Sequence, residues 1–409
     1  MINLETPKKF KPLVAQAHQV AAEVFRPNSR KYDRAEHEYP KELDMLAAAI
    51  DGMSEGGGTG GAGAAGVRRS PSGNGASAED DGGTRNGSNM ATCLSIMELC
   101  WGDVGLLLSM PRQGLGNSAI ASVADDEQLE RFAGRWAAMA ITEPEAGSDS
   151  AAIRTTARLE GDEYVLNGEK IFVTAGERAD LVVVWATLDP SQGRAAIKSF
   201  VVPRDNPGLK LVRVNHKLGI RSSDTADFVL EDCRIPKENL LGDPEIKTGG
   251  GFAGAMQTFD NTRPLVASMA VGLTRACLEE TRRLLTEAGV EFDANVPLEL
   301  QPAAAAELLS MEADYEAARL LTLEAAWMAD NRKPNSLEAS MAKAKAGRTC
   351  VDVALRCVRI CGAVGYGETE LLEKWARDAK ILDIFEGTQQ IQLLIIARQL
   401  LKKTSAELR

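Results

Sequence analysis

Histidine is scarce in this chain: three residues in 409, at positions 18, 37 and 216, are isolated from one another along the sequence. That isolation argues against a histidine-based metal site, and no metal is expected. Cysteine is present but unpatterned. The seven thiols, at 93, 100, 233, 277, 350, 357 and 361, are odd in number and lack CxxC spacing. Both a disulfide framework and structural zinc are therefore disfavoured, and buried free thiols are expected. Basic charge is short as well. Lys and Arg total 47 against 58 Asp and Glu, a formal net charge of −11. A general nucleic-acid or anionic-membrane binder needs basic surface to neutralise phosphates, so the charge balance argues against both classes and leaves room only for a local basic patch. No stretch approaches the ~20 apolar residues of a membrane span. The first residues, MINLETPKKFKPLVAQ, lack the apolar run of a signal peptide, and Glu5 departs from the acid-poor profile of a transit peptide. A cytoplasmic protein is expected.

What is there divides the chain by hydrophobic period. A length of 409 residues allows about three domains and an interior able to enclose a large cofactor. LVAQAHQVAAEVF and ELDMLAAAI repeat their apolar residues every three or four positions, as does MATCLSIMELCWGDVGLLLSM, so residues 1–138 read as a helical domain. Within it, 13 of the 37 glycines fall between Asp51 and Met90. Such a segment buries too little apolar surface to offset its ordering entropy, which predicts a mobile loop over about 52–89. The frames of phosphate-binding glycine loops are missing from it. From Met139 the period changes to two. AAIRTTARLEGDEYVLNGEKIFVT, DLVVVWATL, AAIKSFVVPR, LKLVRV and TADFVLEDCRI read as strands of a middle antiparallel β-barrel, or a sandwich, over 139–248, with Asn167-Gly168 as a two-residue hairpin turn. Over 249–409 the period returns to 3.6. Four long helical segments predict a C-terminal four-helix bundle, so the fold class is α+β multidomain.

One carboxylate interrupts an otherwise core-like run in ILDIFEGTQQIQ, residues 381–392. Glu386 falls at a helix-to-helix joint, after Phe385 and before Gly387, which can end one helix while Thr388 caps the next. Such an acid is either solvated or ion-paired, or it is a base held between an apolar wall and a backbone free to approach a ligand.

Five segments carry a resemblance: AITEPEAGSDS (140–150), LNGEKIFVTAG (166–176), LGIRSSDTADF (218–228), FDNTRP (259–264) and RDAKILDIFEGTQQIQ (377–392). In this order and spacing the chain resembles the acyl-CoA dehydrogenase family over nearly its whole length. The resemblance implies an FAD enzyme that converts an acyl-CoA thioester to the trans-2-enoyl-CoA and passes electrons to an electron-transfer flavoprotein. It places the base that takes the proton next to the thioester at Glu386. In some branches the base stands instead at the position of Thr262, a residue unable to do that job. It implies that the backbone N–H of Glu386 and a flavin hydroxyl polarise the thioester oxygen, and that Arg263 supports the joint electrostatically, unless it forms an ion pair with Asp260.

The family positions also imply that Thr142 and Ser148 meet the isoalloxazine and the pyrophosphate or substrate, and that Phe172 and Thr174 run beside the flavin ring. Many relatives have Trp at Phe172. Gly362, Thr388 and Gln390 match positions at the far end of FAD, often across a subunit contact. Substrate contacts would come from Ser148, Phe385, Glu386, Gly387 and Arg263, with acyl-chain depth set around Leu99 to Ser109. The chain departs from the family where AGVEFDANVPLELQ carries Glu291 and lacks the arginine that grips the pyrophosphate. Arg359, at a position often held by Gln, is the expected substitute. Phe385 lacks a frequent tyrosine hydroxyl, and the glycine-rich excursion replaces a short loop. A homotetramer, or a hetero-oligomer with a related subunit that completes the FAD site, is implied. An acyl-CoA oxidase is a further alternative.

Overall fold

The computed structural model describes residues 6–47, 86–112, 115–246, 253–293, 295–404 and 407, without the side chains of 253–261. Most of the glycine-rich loop expected over 52–89 lies outside the described residues, and Ser88 already opens a helix. Helix α1 (Lys11–Val20) runs through a π-helical turn at Ala21–Phe25 into α2 (Arg26–Arg34). α3 (Ser88–Gly102) and α4 (Val104–Leu108) break at Asp103, whose side chain accepts from the Leu106 N–H and caps α4. α5 (Leu115–Val123) and α6 (Asp126–Arg131) follow, the latter opened by a reciprocal Asp125–Gln128 capping box.

Eight strands come next: β1 (Ala137–Ala140), β2 (Thr156–Glu160), β3 (Glu163–Thr174), β4 (Leu181–Thr187), β5 (Ile197–Pro203), β6 (Leu209–Val214), β7 (Thr225–Pro236) and β8 (Leu240–Leu241). They form one sheet in the order β6-β7-β3-β2-β4-β5-β8, with β1 beside β4. The expected antiparallel barrel is not formed. The sheet is open, and it is mixed because β1 and β2 both pair parallel with β4. A period of two assigns side chains to faces but leaves the pairing of edges undetermined. β4, LVVVWAT, is buried at all seven positions because both faces are covered: Val182 and Val184 join one apolar cluster, Leu181 and Val183 the cluster under α5 and α6. At the other extreme β6 is an edge with exposed Lys210 and Arg213, charges that discourage further pairing.

The hairpin turn also lies elsewhere. Glu160 pairs with Glu163, so the two-residue turn is Gly161-Asp162, with Gly161 at φ 64°. Asn167-Gly168 sits inside β3 at a register shift, where Gly168 lies so close to Thr155 that a Cβ would come within 2.4 Å of its hydroxyl.

Five helices close the chain: α7 (Ala253–Glu287), α8 (Ala303–Asp330), α9 (Ser336–Tyr366), α10 (Leu372–Ala379) and α11 (Gln389–Leu401). α3 shares one apolar core with α7, α8 and α9, including Met97, Cys100, Leu273, Cys277, Leu308 and Cys357. No disulfide joins the seven thiols, six of which are buried. Among the described residues no helix is long and apolar enough to cross a membrane.

Candidate active site

Three of the five sequence segments meet at α10 and the joint that follows it. FDNTRP lies on α7 and RDAKILDIFEGTQQIQ spans α10 to α11; the Thr262 hydroxyl donates to Glu386 Oε2 at 2.8 Å. LGIRSSDTADF docks on α10, where the Ile220 N–H donates to Asp378 Oδ1 at 2.6 Å and Arg377 Nη1 donates to the Leu218 carbonyl at 3.0 Å. The other two segments are bound to each other inside the sheet. Lys170 and Glu143, both buried, form an ion pair at 2.7 Å, and the Ile171 N–H donates to the Thr142 carbonyl at 2.9 Å. Burial lowers the Lys170 ammonium to about 8 against the attraction of Glu143.

Glu386 sits after a 3-10 turn (Lys380–Asp383), in the left-handed region at φ 54°, and Gly387 follows at φ 89°. Two consecutive positive φ values turn the chain sharply into α11, which Thr388 caps by accepting from the Ile391 N–H. A non-glycine residue at positive φ carries a cost that surrounding contacts must offset. Here the buried Gln392 amide donates to the carbonyls of Glu386 (3.1 Å) and Gly387 (3.3 Å), and Lys343 Nζ on α9 donates to the Gly387 carbonyl at 2.7 Å. Among the described residues the Glu386 N–H has no acceptor.

The carboxylate is densely surrounded, while the residue as a whole is half-buried. Burial pushes its pKa up; the Thr262 hydroxyl and the charges of Arg263 and Lys343 pull the other way without cancelling it. Arg263 is buried on α7, with Nη1 3.4 Å from the Ser340 hydroxyl. The side chain of Asp260, its expected alternative partner, lies outside the described residues. Phe385 packs half-buried against the helical core.

On the sheet, Phe172 is 60% exposed at φ 58°, its N–H held by Asp227 at 3.0 Å. Thr174 lies two residues along the same strand, and Thr142 is paired with the adjacent Ile171; both threonines are half-buried. An uncovered aromatic ring with hydroxyl residues beside it suits a flat, polar-edged ring system. Ser148 is exposed in the following loop.

Arg359 and Gly362 are not gathered with the Glu386 joint. Arg359 stands 16 residues beyond Lys343 on α9, about 24 Å along a helix, and its guanidinium is paired with Glu307. Gly362, at φ 57° and ψ −134°, breaks the helix there, and Gln390 is exposed at the start of α11. Glu291 is exposed as well. Of the region expected to set acyl-chain depth, Ser109 is buried and bonded to the carbonyls of Gly105 and Ser222, both at 2.9 Å.

Lys343 and Gln392 were not among the candidates, and Thr262 was one only as a discarded base. A lysine in the helical run ASMAKAKAG reads as a solvated residue; its burial depends on the joint folding over it. The histidines also need correction. Folding brings His37 and His216 together, with ring centroids 4.7 Å apart, beside Glu36. Both Glu36 oxygens already accept, one from His216 and Arg221 and the other from the Lys217 N–H.

Comparison with known proteins gives a consistent picture. Residues 138–233 match the family model "Acyl-CoA dehydrogenase, middle domain", and residues 249–401 match "Acyl-CoA dehydrogenase, C-terminal domain". The chain is 42% identical over 268 residues to the mitochondrial short-chain specific acyl-CoA dehydrogenase of Rattus norvegicus, covering 64% of this chain but 62% of that protein. It is 35% identical over 317 residues to the caffeyl-CoA reductase-Etf complex subunit CarC of Acetobacterium woodii, covering 76% of this chain and 82% of the relative. The structure of butyryl-CoA dehydrogenase from Megasphaera elsdenii superposes with a TM-score of 0.80 at 28% identity, over 98% of this chain and all of that one.

Proposed function

The chain belongs to the acyl-CoA dehydrogenase family, and from that premise we propose that it oxidises an acyl-CoA thioester to the trans-2-enoyl-CoA with Glu386 as base. The observation that carries this is the Glu386 joint: a carboxylate of raised pKa, fixed by Thr262, with a backbone N–H on the same residue that has no acceptor among the described residues.

The chemistry follows from the residues. A carboxylate of ordinary pKa, ~4.3, is too weak a base for a carbon acid at neutral pH, and burial narrows that gap. The Glu386 N–H can donate to a thioester oxygen, so one residue both removes the proton and stabilises the charge that develops. Thr262 fixes the carboxylate rotamer, and Gln392 with Lys343 fixes the peptides that aim the N–H. Phe172, Thr174 and Thr142 fit FAD and would hold its ring system, which when bound accepts the hydride. Ser148 would add a polar contact to the cofactor or substrate. Thr388, already the cap of α11, and Gln390 would meet the cofactor's far end from a neighbouring subunit.

Electron-transfer flavoprotein is the proposed acceptor, a homotetramer the proposed assembly and the cytoplasm the proposed location. A short acyl group is favoured by the likeness to short-chain and butyryl-CoA dehydrogenases. A second reading, that a related subunit completes the FAD site, is favoured by Glu307: it occupies Arg359, the cation expected to replace the missing pyrophosphate arginine. The test is product analysis with a panel of acyl-CoAs, comparing electron-transfer flavoprotein with oxygen as acceptor. Enoyl-CoA formed only with the flavoprotein supports the dehydrogenase; hydrogen peroxide in equal amount would make it an oxidase, and no product from the chain alone would favour the two-subunit reading.

A further inference from the structure

Lys343 is a fully buried ammonium for which the proposed chemistry supplies no substrate contact. It lies on α9, one turn after Ser340, and its Nζ donates to the Gly387 carbonyl at 2.7 Å. A buried lysine is costly unless charge and hydrogen bonds compensate it. The groups that face it are Glu386 and Asp383 from the closing segment and Arg263 from α7. Asp383 is itself bonded to Lys380 at 3.1 Å. Glu386, held by Thr262, forms no ion pair with any described residue.

We propose that Lys343 is a positioning residue that ties the Glu386 joint to α9 and, as one of two buried cations beside Glu386 together with Arg263, helps set the pH range in which Glu386 acts as a base. The proposal rests on Glu386 being that base. One ammonium does two things through one geometry: its hydrogen bond holds the Gly387 peptide inward, which keeps the left-handed Glu386 backbone in place, and its charge favours the ionised carboxylate. Burial opposes both charges, raising Glu386 and lowering Lys343 to about 8. Neutralising Lys343 therefore drives Glu386 further toward its protonated form.

Three variants test it: Lys343→Met removes both charge and donor, Lys343→Arg keeps the charge, and Glu386→Gln supplies the partner arm. In the pH profile of kcat/KM, Lys343→Met should move the acid limb upward by about one pH unit, and Lys343→Arg should restore much of that shift. A limb in Lys343→Met that coincides with the unsubstituted protein, whatever the fall in kcat, would overturn the proposal. An inactive parent protein would instead sink the dehydrogenase reading, and the second arm needs no turnover. In a thermal-stability cycle, Lys343→Met should lower the melting temperature by different amounts in the parent and in the Glu386→Gln variant. Strictly additive losses would contradict the proposed coupling. Should Lys343→Met fail to fold, Lys343→Gln, which keeps an N–H donor without charge, takes its place in both arms.

Discussion

At the scale of one residue, Glu386 combines features that oppose stability and favour chemistry. Its φ of 54° is sterically disfavoured, and its pKa is raised chiefly by burial. A carboxyl whose folded-state pKa is raised stays protonated in the fold over a pH window where the unfolded chain has already lost its proton. Stability therefore falls as pH rises from the ordinary carboxylate range through the raised value, and the ionised form is the less favourable one at neutral pH. Glu386→Gln should thus melt at the same or a higher temperature at pH 7 while kcat/KM drops ~10²–10⁴-fold. A calorimetric scan beside a rate measurement checks both, and a lower melting temperature would refute the electrostatic half. The sequence made Glu386 visible because an acid between Phe and Gly in an apolar run is conspicuous. Lys343 was not visible, since nothing local distinguishes it from Lys345 two residues later, which is half-buried and paired with Asp314 at 2.6 Å.

At the scale of elements, the site depends on two joints. The first is the turn into α11. Gly387 has φ 89°, and a Cβ there would lie 2.4 Å from the Gln392 amide that holds the turn. Gly387→Ala should cost about 1–3 kcal/mol of stability and reduce kcat more than it raises KM if Glu386 is the base, since the carboxylate rather than the substrate seat is displaced. Chemical denaturation with steady-state kinetics separates these effects. The second joint is the Lys170–Glu143 pair, which binds the TEPEAG loop to β3. Removing one member of a buried pair leaves the other uncompensated, so Lys170→Met should cost about 3–5 kcal/mol, read from urea unfolding. These elements were partly legible. The apolar run of β4 marked a strand, but Asn167-Gly168 looked like a turn because the same residue types serve a turn and a close backbone approach. Only the neighbour, Thr155, distinguishes the two, and it lies on a different stretch of chain, ahead of β2.

Across the whole molecule, a buried charge network connects regions far apart in sequence. Lys374 on α10 is bonded to Asp103, which caps α4, and to Asp378, which also accepts from Ile220 in the sheet's docking loop. Arg377 reaches Asp33 on α2 at 2.6 Å. α10 thus carries the load between the N-terminal helices, the sheet and the Glu386 joint. Lys374→Met should destabilise the protein by about 3–5 kcal/mol and split one unfolding transition into two, monitored by far-ultraviolet and tryptophan signals. Such contacts join positions hundreds of residues apart, which is why no local pattern announced them. The same distance hid the meeting of His37 with His216 and the open edge of the sheet. Period-two and period-3.6 patterns reveal elements and their faces, whereas edge order and long-range charge pairs are settled by packing.

The central claim is that Glu386 takes the proton that allows a bound flavin to be reduced. Its most direct test is the visible absorption of FAD-loaded protein on anaerobic addition of a short-chain acyl-CoA, with the parent chain and Glu386→Gln side by side. The flavin band should bleach in the parent and persist in Glu386→Gln, with both proteins binding FAD equally. Bleaching of Glu386→Gln at the parental rate would contradict the claim and place the base on another residue.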